Sequence, residues 1–145
     1  MADGADAAVN YRELGIGDAL RDALLDANGG RKFDRMVDVD FGSYINLSAQ
    51  VLHHGAVIGT YASMSEPKPT VDFYPLMMNN ITIRLVEVYA QSPARFAEIC
   101  AGVNRALEDG ALTPRMDSTY ALAETFSAHE RVESGGQLGN VIVEI

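Results

Sequence analysis

Between residues 7 and 107 the chain alternates short apolar or β-branched runs with amphipathic helical stretches, and this alternation limits the fold more than any other feature. A strand that follows a helix back into the same sheet lies parallel to its predecessor, so the order implies crossovers and an open α/β sheet. Residues 7–11 read as a short first strand. Behind Asp18, a residue suited to a helix start, Leu20, Ala23, Leu24 and Ala27 share one helical face. Asn28-Gly29-Gly30 closes that helix, because glycine accepts the left-handed terminal conformation.

Residues 33–39 read as the next strand, and Ser43 opens a helix carrying Tyr44, Leu47, Val51 and Leu52 that stops at Gly55. Residues 56–61 are nearly all apolar, as expected of a strand covered on both faces. A loop with Pro67 and Pro69 and one helical turn at 74–80 lead to 81–89, the richest stretch in β-branched residues. Ser92-Pro93 starts a helix whose stripe of Phe96, Ile99, Cys100, Val103 and Leu107 is expected to pack inward, with Cys100 a core residue. The last section differs: 115–121 is extended, 123–134 helical, and 141–145 a terminal strand.

Composition excludes several classes. The formal net charge of −9 comes without any run of Lys or Arg, so neither nucleic acid nor an anionic membrane surface is an expected partner. No apolar stretch approaches the roughly 20 residues that span a bilayer, and the N-terminus lacks a signal-peptide pattern. The single Cys100 excludes an internal disulfide and a multi-cysteine zinc site. A cytoplasmic, disulfide-free protein is the expectation. His53 and His54 fall at a predicted helix C-terminus, where the dipole favours an imidazolium without any further function.

A dinucleotide phosphate site needs G-x-G-x-x-G between a strand and a helix, so that backbone N–H groups reach the pyrophosphate. The nearest candidate is Gly15-Ile16-Gly17-Asp18-Ala19-Leu20. Leu20 stands where the third glycine should be, and Asp18 would face the anion. The segment reads as a turn into a helix rather than a phosphate loop.

Several runs nevertheless resemble one family. Gly4-Ala5-Asp6-Ala7-Ala8-Val9-Asn10-Tyr11-Arg12 and Gly29-Gly30-Arg31-Lys32-Phe33-Asp34-Arg35-Met36-Val37-Asp38 are similar to segments of zinc-independent quinone oxidoreductases of the medium-chain dehydrogenase/reductase superfamily. Leu52-His53-His54-Gly55-Ala56-Val57-Ile58 resembles that family's step into its fifth strand, and Tyr120-Ala121-Leu122, Ala128-His129-Glu130 and Gly139-Asn140-Val141-Ile142-Val143 resemble its C-terminal signature. The resemblance is collinear over nearly the whole chain.

It implies the later part of a Rossmann-type parallel sheet at 1–113, followed at 114–145 by a helix and strand that return to a GroES-like catalytic domain. The first Rossmann strands and the glycine loop are absent, so the chain is expected to be a C-terminal segment of a larger enzyme. In the strand order 3-2-1-4-5-6, strands 33–39, 56–61 and 81–89 can still pair. Residues 7–11 lose their neighbours, residues 1–28 are expected to be loosely held, repositioned or completed by another chain, and the edge of strand 33–39 is left open.

The resemblance further implies NADPH as cofactor of the complete enzyme, with weak or no binding by this chain alone, and a quinone or activated enone as hydride acceptor. The alternatives are an enoyl-thioester reductase or a non-catalytic self-associating module. Tyr11 and Arg12 would stand near the adenosine 2′-phosphate; Asp40, Phe41, Tyr61, Ala62, Val88 and Tyr89 would follow the strand ends near ribose and nicotinamide; and Asn140 would replace a cofactor-contacting lysine. No residue is assigned a catalytic or metal-binding role. Relatives pair their sixth strands, so a homodimer through strand 81–89 is expected.

Overall fold

The computed structural model describes residues 4–145, so the part of the 1–28 expectation that falls on residues 1–3 lies outside the described residues. The chain divides into a unit ending at Phe96 and a second unit, Ala97–Ile145.

The first unit is built on three parallel strands in the order β1-β2-β3: β1 Phe33–Asp38, β2 Leu52–Thr60 and β3 Thr82–Leu85. They are preceded by the single helical turn α1 (Tyr11–Leu14) and helix α2 (Asp18–Ala27), and connected by α3 (Phe41–Val51) and the short α4 (Phe73–Met78). Ile45, Ala49 and Val51 of α3 meet Leu52, Ala56 and Ile58 of β2 and Leu76 of α4 in the core, and Leu24, Met36 and Ile83 pack against it. Register explains this set. Met36 lies opposite Ile58, and Ile58 opposite Ile83, so one face of the sheet presents a row of aliphatic side chains to the helices.

The intervening positions Arg35, Val37, Thr82 and Arg84 are exposed. The expectation of a central strand covered on both faces is therefore corrected: β2 is buried in alternation at Ala56, Ile58 and Thr60, because the described helices of this unit pack its other neighbours on one side only.

Three further expectations change. Residues 7–10 form no strand; with no strand beside them, Asn10 instead caps α1, its Oδ1 accepting from Arg12 N at 3.2 Å. Residues 18–27 are docked rather than loose, since Leu20 is buried and Leu24 and Leu25 reach the core. The helix expected to open at Ser43 and stop at Gly55 instead has Asp40 as N-cap and ends at Val51. Leu52 pairs with Phe33, and His53 contacts Asp34 across the strands, so both histidines sit in β2 and not at a helix end.

β3 is also shorter than 81–89. The ladder runs one step past Leu85, where Val86 N donates to Thr60 O at 2.8 Å. The backbone then turns away as Glu87 Oε1 accepts from Tyr89 N at 2.8 Å and Gln91 Nε2 donates to Glu87 O at 2.6 Å.

The second unit contains α5 (Pro93–Glu108, which begins just before the boundary), β4 (Met116–Ala121), a 3-10 turn at Leu122–Glu124, α6 (Thr125–Glu133) and β5 (Asn140–Glu144). β4 and β5 pair in parallel, and Asp117 ties the unit together. Its two oxygens accept from Arg131 Nε and Nη2 at 2.8 and 2.7 Å, and Oδ1 also accepts from Leu138 N at 3.2 Å. The Arg131 guanidinium holds the Asp117 carboxyl down at about 2.

The apolar stripe of α5 was expected to pack inward, yet no residue of that helix is buried and Cys100 is exposed. Periodicity reports which face is apolar, not whether anything covers it.

Candidate functional site

In an open parallel sheet, ligands gather beyond the carboxyl ends of the strands, where the loops leave room and the helix starts point their N–H groups. The loops after β1, β2 and β3 meet there. Phe41 N donates to Ala62 O at 2.9 Å, and Gly42 N donates to Ser63 Oγ at 2.9 Å, which in turn donates to Glu66 O at 2.6 Å. Asp40 closes the same knot: its Oδ2 accepts from Ser43 Oγ at 2.6 Å and its Oδ1 from Ser65 N at 3.0 Å. Those two donors hold the Asp40 carboxyl below the usual carboxylate range.

Gly42 is required for this approach. A Cβ there would lie 2.4 Å from Glu66 O and 2.8 Å from Ser63 Oγ.

The knot walls a hollow of about 280 Å³ lined by Phe41, Thr60, Tyr61, Ala62 and Leu85–Glu87. Phe41, Tyr61 and Ala62, three of the residues named from the sequence, are thus brought together. Val88 and Tyr89 lie outside it, with Tyr89 almost fully exposed, and Glu87 takes their place in the lining.

A second, larger cleft of about 680 Å³ lies along β1 between α1, α2 and α3. Tyr11, Arg12 and Asp40 line it. Tyr11 stands edge-on to Tyr44 with ring centres 6.3 Å apart, and the Arg12 guanidinium sits 5.9 Å from the Tyr11 ring centre. The two side chains thus lie beside one another on the lining of the cleft.

Asn140 belongs to the second unit. Its N–H donates to Arg115 O at 2.8 Å, and its side-chain amide donates to the same carbonyl at 3.4 Å.

One residue of this region was not singled out from the sequence. Asp38, the last residue of β1, is 4% exposed and lines the large cleft. Its Oδ1 accepts from Asp40 N at 2.9 Å, whereas its buried Oδ2 has no partner among the described residues. Burial pushes its carboxyl above the ordinary value, and the neighbouring Asp40 charge adds to the effect. The only signal in sequence was an aspartate ending an apolar strand, which is equally consistent with a solvated turn.

The fit of a nicotinamide dinucleotide can be judged in parts. The small hollow is mostly apolar, faced by ring and aliphatic side chains, and the flat nicotinamide end fits a surface of that kind. The pyrophosphate does not fit. The Gly15–Gly17 turn follows helix α1 rather than a strand, and Asp18, paired with Arg21 at 2.6 Å, puts a carboxylate on the first turn of α2. Zinc fares no better: among the described residues no three His, Cys, Asp or Glu side chains converge on one point. No helix of the described residues is long and apolar enough to cross a membrane.

Comparison with known proteins identifies the family. A family profile described as zinc-binding dehydrogenase matches residues 4–143. The chain is 24% identical to a quinone oxidoreductase of Pongo abelii over 99% of its own length but 42% of that protein. A structure from Sinorhizobium meliloti 1021, provisionally named an alcohol dehydrogenase, superposes with a TM-score of 0.76 at 23% identity, covering 98% of this chain and 37% of that one. The 2-octenoyl-CoA carboxylase reductase CinF, solved with NADP and 2-octenoyl-CoA, gives a TM-score of 0.68 at 27% identity, covering 96% and 33%. The chain belongs to the zinc-binding dehydrogenase family, within the medium-chain dehydrogenase/reductase superfamily, and spans about two-fifths of the length of the curated relative it matches.

Proposed function

We propose that the chain provides the nicotinamide-facing part of an NADPH-dependent oxidoreductase that transfers hydride, without zinc, to a quinone or an activated enone. The observation that carries this reading is the hollow at the carboxyl ends of β2 and β3, lined by Phe41, Tyr61, Ala62 and Leu85–Glu87. When bound, the cofactor supplies the hydride, and the protein supplies orientation and a dry surface. Phe41 and Leu85 would exclude water from the ring, and the 62–66 loop, held by Asp40 and Gly42, would fix the depth of the hollow. Tyr11 and Arg12 would stand at the adenosine end, and Val88 and Tyr89 would border the acceptor. Asn140 would reach the cofactor only by giving up its bonds to Arg115.

A second reading, reduction of an enoyl thioester, is favoured by the 27% identity to CinF, whose structure holds 2-octenoyl-CoA. Either activity would belong to a cytoplasmic homodimer joined through β3, in which the edge strand pairs with its symmetry mate. The reading in which the chain only self-associates predicts the dimer without the cofactor.

Amide chemical shifts separate the reductase readings from self-association alone. Millimolar NADPH should move the amides of 40–42, 61–63 and 85–89 selectively, with binding too weak to saturate at micromolar cofactor. Shifts scattered over the surface would remove the proposal, and none would favour the self-associating reading.

A further inference from the structure

The small hollow is mostly apolar but carries one charge. The rings of Phe41 and Tyr61 line it with Leu85 and Val86, and Glu87 is the single charged residue of a lining that holds no Lys, Arg or His among the described residues. The local chain explains why a carboxylate stands there. β3 stops as Val86 N donates to Thr60 O at 2.8 Å, and the turn that follows is closed by Glu87 itself, whose Oε1 accepts from Tyr89 N at 2.8 Å. Gln91 Nε2 donates to Glu87 O at 2.6 Å and braces the same turn. A carboxylate has about four acceptor positions on its two oxygens, so that one bond leaves most of its capacity and all of its charge. Asp40, tied into the knot by Ser43 Oγ and Ser65 N, adds a second negative charge within the wall.

These groups act in one direction. Aromatic faces attract cations through the ring quadrupole, and a carboxylate beside them does the same by its charge. Apolar surroundings weaken dielectric screening, so the charge is felt more strongly there than on an open polar surface. A neutral flat ring gains only the apolar contact. The two forms of a nicotinamide ring differ in this respect: the oxidised ring is a pyridinium with one positive charge, and the reduced dihydro ring is neutral.

We propose that Glu87, together with Phe41 and Tyr61, makes the hollow selective for the oxidised, cationic nicotinamide ring over the neutral reduced one. The inference rests on the cofactor reading above and adds to it a preference between redox forms. The charge of Glu87 sets that preference, and its bond to Tyr89 N sets its place. Tighter binding of the oxidised form makes the bound reduced form the stronger hydride donor. A fivefold preference lowers the midpoint of this two-electron couple by about 20 mV, at about 30 mV per factor of ten.

The test titrates the full chain with the 1-methylnicotinamide cation and with its neutral dihydro form, which differ by a hydride and the charge, and follows amide chemical shifts. Both should move the amides of 61–63 and 85–89, with the cation bound about fivefold more tightly. Raising the salt concentration should lower that ratio. Glu87→Gln keeps an oxygen to accept from Tyr89 N; it should bring the ratio to about twofold or less, the part left to the rings, and leave the neutral ring's affinity unchanged. Asp26→Asn, an equal change of net charge at an exposed position of α2, should leave the ratio as it is. Equal binding of the two rings at the hollow, a ratio that survives Glu87→Gln, or one that falls as far with Asp26→Asn would overturn the inference and leave the cofactor reading standing. Shifts from both rings confined to other regions, or none, would overturn both. The comparison of the two rings on the parent chain needs no variant to fold.

Discussion

Replacing Asp38 by asparagine should stabilise the isolated chain at neutral pH, an unusual outcome for a change at a buried position. The side chain is 4% exposed, and one oxygen has no donor among the described residues. Leaving a neutral polar group buried and unsatisfied costs about 1–3 kcal/mol, and a charged one more. The amide keeps the oxygen that accepts from Asp40 N, replaces an unpartnered charged oxygen by an unpartnered neutral NH2, which is the smaller cost, and ends the repulsion from the Asp40 carboxylate. The expected gain is about 1 kcal/mol at pH 7. Its pH dependence fixes the cause. Burial raises the native carboxyl above its unfolded value, so the folded state binds the proton more tightly. Stability is therefore fully present below the unfolded pKa and declines as pH rises through the native one. The advantage of Asp38→Asn should accordingly shrink as pH falls and vanish below about pH 3, where Asp38 is protonated in both states. Urea unfolding followed by circular dichroism at several pH values, with the two proteins compared at equal slope, measures this difference. A variant less stable than the parent at pH 7, or an advantage independent of pH, would mean that the second oxygen is partnered in solution and would refute the reasoning.

Three other consequences are open to measurement. Gly42→Ala forces its methyl onto Glu66 O and Ser63 Oγ and should cost about 1–3 kcal/mol while abolishing the NADPH-dependent shifts at 61–63; retention of those shifts would show that the loop is not set by this contact. Asp117, held down at about 2 by the Arg131 guanidinium, contributes stability that is present above its unfolded value and lost as pH falls from about 4 toward 2. The Leu138 amide, which donates to Asp117, should titrate with that low midpoint, and Arg131→Leu should move it upward; a midpoint near 4 in the parent would contradict the pairing. Arg84→Glu, at an exposed position of edge strand β3, should lower the sedimentation coefficient if β3 carries the proposed dimer, and an unchanged value would count against it.

The elements with a local cause were legible in the sequence. Asn28-Gly29-Gly30 ends α2 with both glycines at positive φ, and Ser92-Pro93 opens α5, because caps and turns are decided by a few neighbouring residues. The parallel order of β1, β2 and β3 was also readable, since strand–helix alternation permits little else. What escaped were features decided by distant neighbours. Leu52-His53-His54 has no local reason to leave the helix; the pairing of Leu52 with Phe33 decides it. Residues 7–10 have the composition of a strand but no strand beside them, so a capped turn wins. The apolar stripe of α5 carries the right period and is still exposed.

The same distinction governs the candidate sites. Phe41, Tyr61 and Ala62 could be named because strand ends are positions along the sequence, and the fold then gathers them around one hollow. Asp38 could not, because its significance is the absence of a donor, and an absence is visible only when every neighbour is in place. Asp34 and Asp38 are both aspartates of β1, yet Asp34 is exposed and meets His53, while Asp38 is buried with one oxygen unsatisfied. Six residues of strand thus contain an ordinary surface carboxylate and one buried carboxylate with an oxygen that has no donor among the described residues. Burial without a donor is an energetic cost, and Asp38 is the residue through which that cost can be measured.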